Sequence, residues 1–133
     1  FDSTHVIFND TSEQDYVSRI VDLNTNKTIR VLPKALYDID TDKDIGLSLN
    51  FSRLQRLRPG YGYSAIKDTT AGKVSLVNDG IFKLDIKNAN YELLLSLEQM
   101  KKVSACDLSG EDYVNHICIS PSGKNFIFFF HYL

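Results

Sequence analysis

A sixteen-residue internal repeat, a second and weaker repeat, and a spacing that closes on a period of about 41 residues predict an all-β fold. The expected architecture is a fragment of a β-propeller, with one complete four-stranded antiparallel blade flanked by two incomplete blades. The stronger repeat aligns Ala35 to Asn50 (ALYDIDTDKDIGLSLN) with His116 to His131 (HICISPSGKNFIFFFH) without a gap. Each copy reads as a short strand, a polar turn ending in Lys43 or Lys124, and a second strand rich in apolar residues. Ser120-Pro121-Ser122-Gly123 has the Pro and Gly chemistry of a tight hairpin, and Asp40-Thr41-Asp42 occupies the same place in the first copy. The weaker repeat lays Ile20 to Asn26 on Leu84 to Asn90, with Asp22 on Asp85. Each continues into an apolar strand, Thr28 to Leu32 or Tyr91 to Leu97.

The repeating unit is thus four strands, A to D, with hairpins between A and B and between C and D. Its order along the chain is B, C, D, then A, B, C, D, then A, B. Asn9, Asn50 and His131 all end a B strand. The first interval is 41 residues and the second 81; the surplus of 40 falls as 22 residues between Asn50 and Asp85 and 18 between Leu95 and His116. The chain therefore divides into a partial blade over 1–34, a complete blade over 35–97 with a long loop at 51–78, an inserted loop at 98–115, and a partial blade over 116–133.

With 15 Lys and Arg against 17 Asp and Glu, the 133 residues carry a net charge of -2, and 43% are hydrophobic. That fits a single globular domain. Interspersed charge so near balance argues against a nucleic-acid binder or a membrane-surface helix, both of which need a face of one sign. No apolar run approaches the ~18 residues of a membrane span. Cys106 and Cys118 are too few for a disulfide framework and lack zinc-site spacing, which leaves the compartment open. Phe1 is neither an initiator Met nor part of a signal sequence, so the chain reads as a piece of something larger. No Gly-x-Ser-x-Gly elbow, Walker loop, dinucleotide fingerprint or His-Glu-x-x-His helix is present.

The stretch HICISPSGKNFIF, from His116 to Phe128, resembles the strand-turn-strand signature of TolB-type, WD-repeat-like bacterial propellers, in which a Ser-Pro-Asp-Gly-Lys turn precedes a buried strand. Ser122 stands where that turn usually has Asp. The stretches SLNFSRLQRLRPGYGY and NDGIFKLDI are similar to bacterial propellers related to oligogalacturonide lyases and found among surface-polysaccharide proteins. The resemblance covers most of the chain and implies a bacterial carbohydrate context.

In a propeller the D-to-A and B-to-C connections share one face. Both insertions are such connections, so both are expected on the same face, the usual place for binding loops. His116 is expected at the start of an A strand and His131 at the end of the adjoining B strand, as cross-strand neighbours. Asn50, Asn115 and Asp79 fall at nearby strand ends. Such a cluster could hold a divalent metal ion, with His116 and His131 as ligands, or a sugar carboxylate. Equally, His and Asn there could cap strand ends.

Within FSRLQRLRPGYGY, Arg53, Arg56 and Arg58 stand with no acid among thirteen residues, followed by Tyr61 and Tyr63 around glycines. Together with Asn50 they form a candidate ligand-binding set, since guanidinium groups bind carboxylate or sulfate bidentately and aromatic rings offer platforms. The alternative has Leu54 and Leu57 tucked under the loop while the arginines pair with neighbouring acids. Asp38 to Asp44 resembles the opening of a calcium loop, but Lys43 stands where Gly is required and Leu49 where the bidentate Glu should be, so a hairpin turn is expected. Leu97 to Val103 is expected as a short helix with Glu98 and Lys102 at i,i+4 spacing. Cys118 is expected as a small buried hydrophobe.

Two functions fit. One is a binding module for an anionic carbohydrate or a protein partner in surface-polysaccharide metabolism. The other, implied by the resemblance, is a metal-dependent lyase like the oligogalacturonide lyases, in which a metal held by histidines acidifies the proton beside a uronate carboxylate. Unpaired strand edges and the run from Phe126 to Phe130 add an expectation of self-association.

Overall fold

The structure, a computed structural model, describes residues 3–104 and 109–133. Its strands form three antiparallel sheets, each a meander in chain order. The first sheet contains β1 (His5–Thr11), β2 (Tyr16–Asp22) and β3 (Lys27–Leu32). The second contains β4 (Asp38–Asp40), β5 (Ile45–Ser48), β6 (Gly80–Asp85) and β7 (Asn90–Ser96), and the third pairs β8 (Asp112–Ile119) with β9 (Phe126–Tyr132). The fold is all-β with two short helices. The grouping into three, four and two strands matches the order B-C-D, A-B-C-D, A-B deduced from the repeats.

The repeated sequences build repeated turns. Asp22 accepts the backbone N–H of Asn24 at 2.7 Å and closes the turn into β3, and Asp85 accepts that of Asn88 at 2.8 Å and closes the turn into β7. Both turns need a left-handed residue, supplied by Asn26 and Ala89. In the stronger repeat, Gly123 at φ 62° donates to the carbonyl of Ser120 at 2.8 Å, and Asp40 caps a single 3-10 turn over Thr41–Lys43. The acidic run is a hairpin turn, as expected. The two equivalent turns also touch, because the Lys43 ammonium donates to the Ser122 carbonyl.

Alternating side chains then stack the sheets face to face. Ile20 and Leu32 of the first sheet bury against Phe82, Leu84 and Ile86 of the second. Leu47, Leu49 and Ile81 on the second sheet bury with Tyr113, Val114 and Ile117 of the third. On β9 the period of two turns Phe126, Phe128 and Phe130 toward this core and leaves Ile127 and Phe129 outward. Each aliphatic side chain so buried contributes about 1.5 to 3 kcal/mol, so the two inter-sheet cores hold the stack together. Gly80, at the start of β6, permits the close approach of β7: a Cβ there would lie 2.1 Å from the Leu95 carbonyl oxygen.

Both insertions begin as helices. Leu97–Val103 forms α2 as expected, with a Ser96/Gln99 capping box and a Glu98–Lys102 ion pair of 2.9 Å. The segment expected as a loop from residue 51 instead opens with α1 (Phe51–Leu57), capped by the Asn50 side chain, whose Oδ1 accepts the Arg53 N–H at 2.9 Å. Phe51 and Leu54, one turn apart, bury in the second core, and the good helix formers from Arg53 to Leu57, with Pro59-Gly60 just beyond the end, fit the same helix. Cys118 is exposed, a correction that follows from period two: Ile117 faces the core and its neighbour must face out. Cys106 lies outside the described residues.

One polar contact ties α1 to the third sheet. The side chain of Arg53 is fully buried, and all five of its N–H donors find acceptors. Nε donates to the Asp112 carbonyl at 2.7 Å, and Nη1 donates to the Thr70 carbonyl and hydroxyl at 3.1 and 2.8 Å. Nη2 donates to the Lys73 carbonyl at 2.8 Å and to the Asp112 carboxylate at 3.2 Å. The other carboxylate oxygen of Asp112, equally buried, accepts the Ser75 N–H at 3.0 Å. Removing one partner strands a buried charge, which typically costs about 3 to 5 kcal/mol. Asp112→Ala is therefore expected to lower unfolding free energy by about that much in urea denaturation, and the Arg53→Met, Asp112→Ala pair by less than the sum of the single changes.

Candidate functional site

The two insertions meet at one end of the stack, as their place in the strand order requires. The N–H of Leu97 donates to the Asp79 carbonyl at 2.8 Å and that of Glu98 to the Leu76 carbonyl at 3.1 Å, so α2 rests on the tail of the first insertion. At this end lies a cleft of about 280 Å³, lined among others by Asp15, Lys34, Asn50, Asp68, Asp79 and Phe82.

Lys34 follows β3 and reaches into the cleft across two rings, with its ammonium 4.2 Å from the Phe82 centroid and 4.7 Å from that of Tyr91. Among the described residues it forms no ion pair. Burial pushes its pKa below the ordinary lysine value, with the charges of Asp15 and Asp79 pulling the other way. Asp79 shows the converse: burial pushes its carboxyl up, against hydrogen bonds from Asn50 Nδ2 at 2.7 Å and the Gly80 N–H at 2.8 Å. Asn50 therefore both caps α1 and orients Asp79. Asp68 is already engaged, accepting from Thr70 and, at 2.8 Å, from Arg56.

The expected ligand set is not brought together. Arg53 is enclosed by the network described above and cannot meet a ligand. Arg56 is at the surface, but both Nη atoms are held by Glu111 at 2.9 and 2.6 Å and Nε by Asp68. These two arginines pair with acids across the fold, the alternative that the sequence left open. Tyr63 stacks on Phe51 at 4.5 Å, and its hydroxyl accepts from Asn9 at 2.9 Å, so it wedges the insertion onto the first sheet. Gly62 allows this: a Cβ there would lie 2.2 Å from the Phe51 carbonyl oxygen.

The remaining candidates form a separate exposed patch on the third sheet. Arg58 lies 5.2 Å over the Tyr61 ring, Tyr61 is 5.7 Å from His116, and His116 is 5.2 Å from Phe129. His131 stands edge-on to Phe129 at 6.0 Å and stacks on Tyr113 at 4.9 Å. His116 is in the middle of β8 at a bulge, with φ 52°, rather than at the strand start, and the direct partner of His131 is Tyr113. Asn115 is buried and accepts from the Tyr37 hydroxyl at 3.0 Å. Among the described residues no group of three or more His, Cys, Asp or Glu side chains converges to hold a metal ion. The neighbours of His116 and His131 are aromatic or cationic.

Lys34 is the cleft residue that motif reading passed over. It has no patterned neighbours, and its partners Phe82 and Tyr91 are about fifty residues away in sequence.

The folded pKa of Asp79 lies above the ordinary 3.8, so its contribution to stability is fully present below about pH 3.8 and is lost as pH rises through the folded value. A carboxyl-carbon NMR titration is expected to give a midpoint above 3.8. Asn50→Ala should move that midpoint further up and, by uncapping α1, cost about 1 kcal/mol in denaturation.

No protein-family model matches the chain, and neither a curated protein nor a solved structure matches it.

Proposed function

We propose that the chain is part of a β-propeller and that it binds an anionic carbohydrate in the cleft at the end carrying the two insertions. The propeller reading is supported by the 41-residue period, by the meander order within each sheet, and by sheets that stack face to face through alternating apolar side chains. A concave site bounded by inserted segments on a rigid sheet scaffold is where such folds carry ligands.

One observation carries the ligand assignment: the Lys34 ammonium is partly desolvated, faces the cleft, and has no carboxylate partner among the described residues. A ligand carboxylate or sulfate supplies that partner. The Asn50–Asp79 pair offers donors and acceptors to sugar hydroxyls, and the flanking aromatic side chains offer apolar faces. Of the three acids lining the cleft, Asp68 is neutralised by Arg56 and burial pushes the Asp79 carboxyl toward its neutral form, so Asp15 is the main charge an anion meets beside Lys34.

A charge-assisted contact contributes roughly 1.5 to 3 kcal/mol, so Lys34→Met is expected to weaken binding of galacturonate oligomers more than tenfold in calorimetry. Arg56→Ala, which touches no cleft ligand directly, should lose less affinity than Lys34→Met. Equal affinity of the parent and Lys34→Met proteins would overturn the assignment.

Self-association is the second part of the proposal. β1 and β9 each have one strand edge without a partner among the described residues, and Ile127 on β9 is 70% exposed. Light scattering is expected to show dimers or larger species that grow with concentration; a monomer persisting at high concentration would refute it.

A further inference from the structure

The exposed patch on the third sheet is a second, independent cluster. Arg58, His116 and His131 reach it from three different parts of the chain, and Tyr61, Phe129 and Tyr113 interleave them. Of the three arginines in the insertion, Arg53 has every donor satisfied and Arg56 is ion-paired to Asp68 and Glu111, whereas among the described residues Arg58 contacts only the Tyr61 ring and forms no ion pair. Its guanidinium donors have no hydrogen-bond acceptor among the described residues. The backbone N–H of His116 is already satisfied, by the Tyr37 hydroxyl at 3.1 Å and the Asn115 carbonyl oxygen of its side chain at 2.8 Å, which fixes the bulge and aims the imidazole outward.

Three nitrogenous groups of potential positive charge with no facing carboxylate among the described residues make a site for the opposite charge. We propose that Arg58, His116 and His131 bind an oxyanion, a sulfate, phosphate or carboxylate group, and that binding takes up a proton from solvent onto His131. Tyr61 and Phe129 would flank a ring that carries the anion. The groups facing His131 are Tyr113 from β8, Phe129 on its own strand, Arg58 from the insertion and His116 across the sheet. Burial, then the charges of Arg58 and His116, hold His131 below its ordinary 6.5. An anion set between Arg58 and the histidines removes that repulsion and favours the imidazolium. Linkage makes the effect reciprocal: anions raise the His131 midpoint, and acid pH tightens anion binding.

The test is a proton–nitrogen NMR titration of the imidazoles in sodium sulfate against sodium chloride at matched ionic strength. The His131 midpoint is expected below 6.5 in chloride and about one unit higher in saturating sulfate, equivalent to roughly tenfold tighter sulfate binding to the protonated form. Arg58→Gln, an exposed position away from both cores, should abolish most of the difference. Repetition with galacturonate and with inorganic phosphate identifies which oxyanion is preferred. Identical midpoints in sulfate and chloride, or a shift that survives in Arg58→Gln, would overturn the proposal. Lys34 takes no part in this measurement, so its result is distinguishable from the fate of the cleft assignment.

Discussion

The buried guanidinium of Arg53 is the constraint around which the insertion end of the molecule is arranged. A fully buried cation is tolerated only with every donor satisfied, and here the satisfying groups come from residues 70, 73 and 112, spread over the whole first insertion and the start of β8. Three segments are thereby fixed at once. α1 cannot tilt without breaking its bond to the Asp112 carbonyl, the chain from Thr70 to Ser75 cannot lift without exposing the charge, and β8 is held at its first residue. The walls of the cleft follow from this. Asn50 caps the helix that Arg53 anchors, and Asp79 is set by Asn50 on one side and by the turn into β6 on the other.

Hydrophobic burial supplies the bulk energy but less of this specificity. The two inter-sheet cores are built from Leu, Ile, Val and Phe at alternating positions, a pattern that any strand of the right parity satisfies. What distinguishes the second sheet from the first is the long connection between β5 and β6, and that connection is held by charge-assisted bonds to Glu111 and Asp112 as well as by Phe51 and Leu54. Polar networks place the insertion, and apolar packing tolerates it.

These two kinds of interaction differ in how far the sequence reveals them. Period-two alternation and the matched aspartates Asp22 and Asp85 are local signals, and the strands and hairpins they imply are present in the structure. The helix at Phe51–Leu57 has local signals in its Asn50 cap, the good helix formers from Arg53 to Leu57 and the Pro59-Gly60 stop, but at seven residues it depends on a stripe buried against β8 that no local signal shows. Arg53 depends on Asp112, and Arg56 on Glu111 as well as the nearer Asp68, and no spacing rule connects an arginine to an acid more than fifty residues away. His116 shows a third failure: a bulge shifts the register between Asn115 and Cys118, and parity arguments fail across it. Lys34 was silent because a lone lysine beside a proline has no pattern until two sheets close on it.

The insertion's arginines therefore sort by what surrounds them. Arg53 points inward along the helix and is consumed by the fold; Arg56, three residues on, lies at the rim and is consumed by Glu111 and Asp68; Arg58 follows the last helical turn and meets only a tyrosine ring. Residue type does not decide between structure and ligand binding in such a run, because the same fork of donors serves either. The presence of an acid within reach decides it. Asp68, Glu111 and Asp112 take up Arg53 and Arg56, whereas Arg58 at the third sheet and Lys34 in the cleft form no ion pair among the described residues, with Lys34 lying in the field of Asp15 and Asp79.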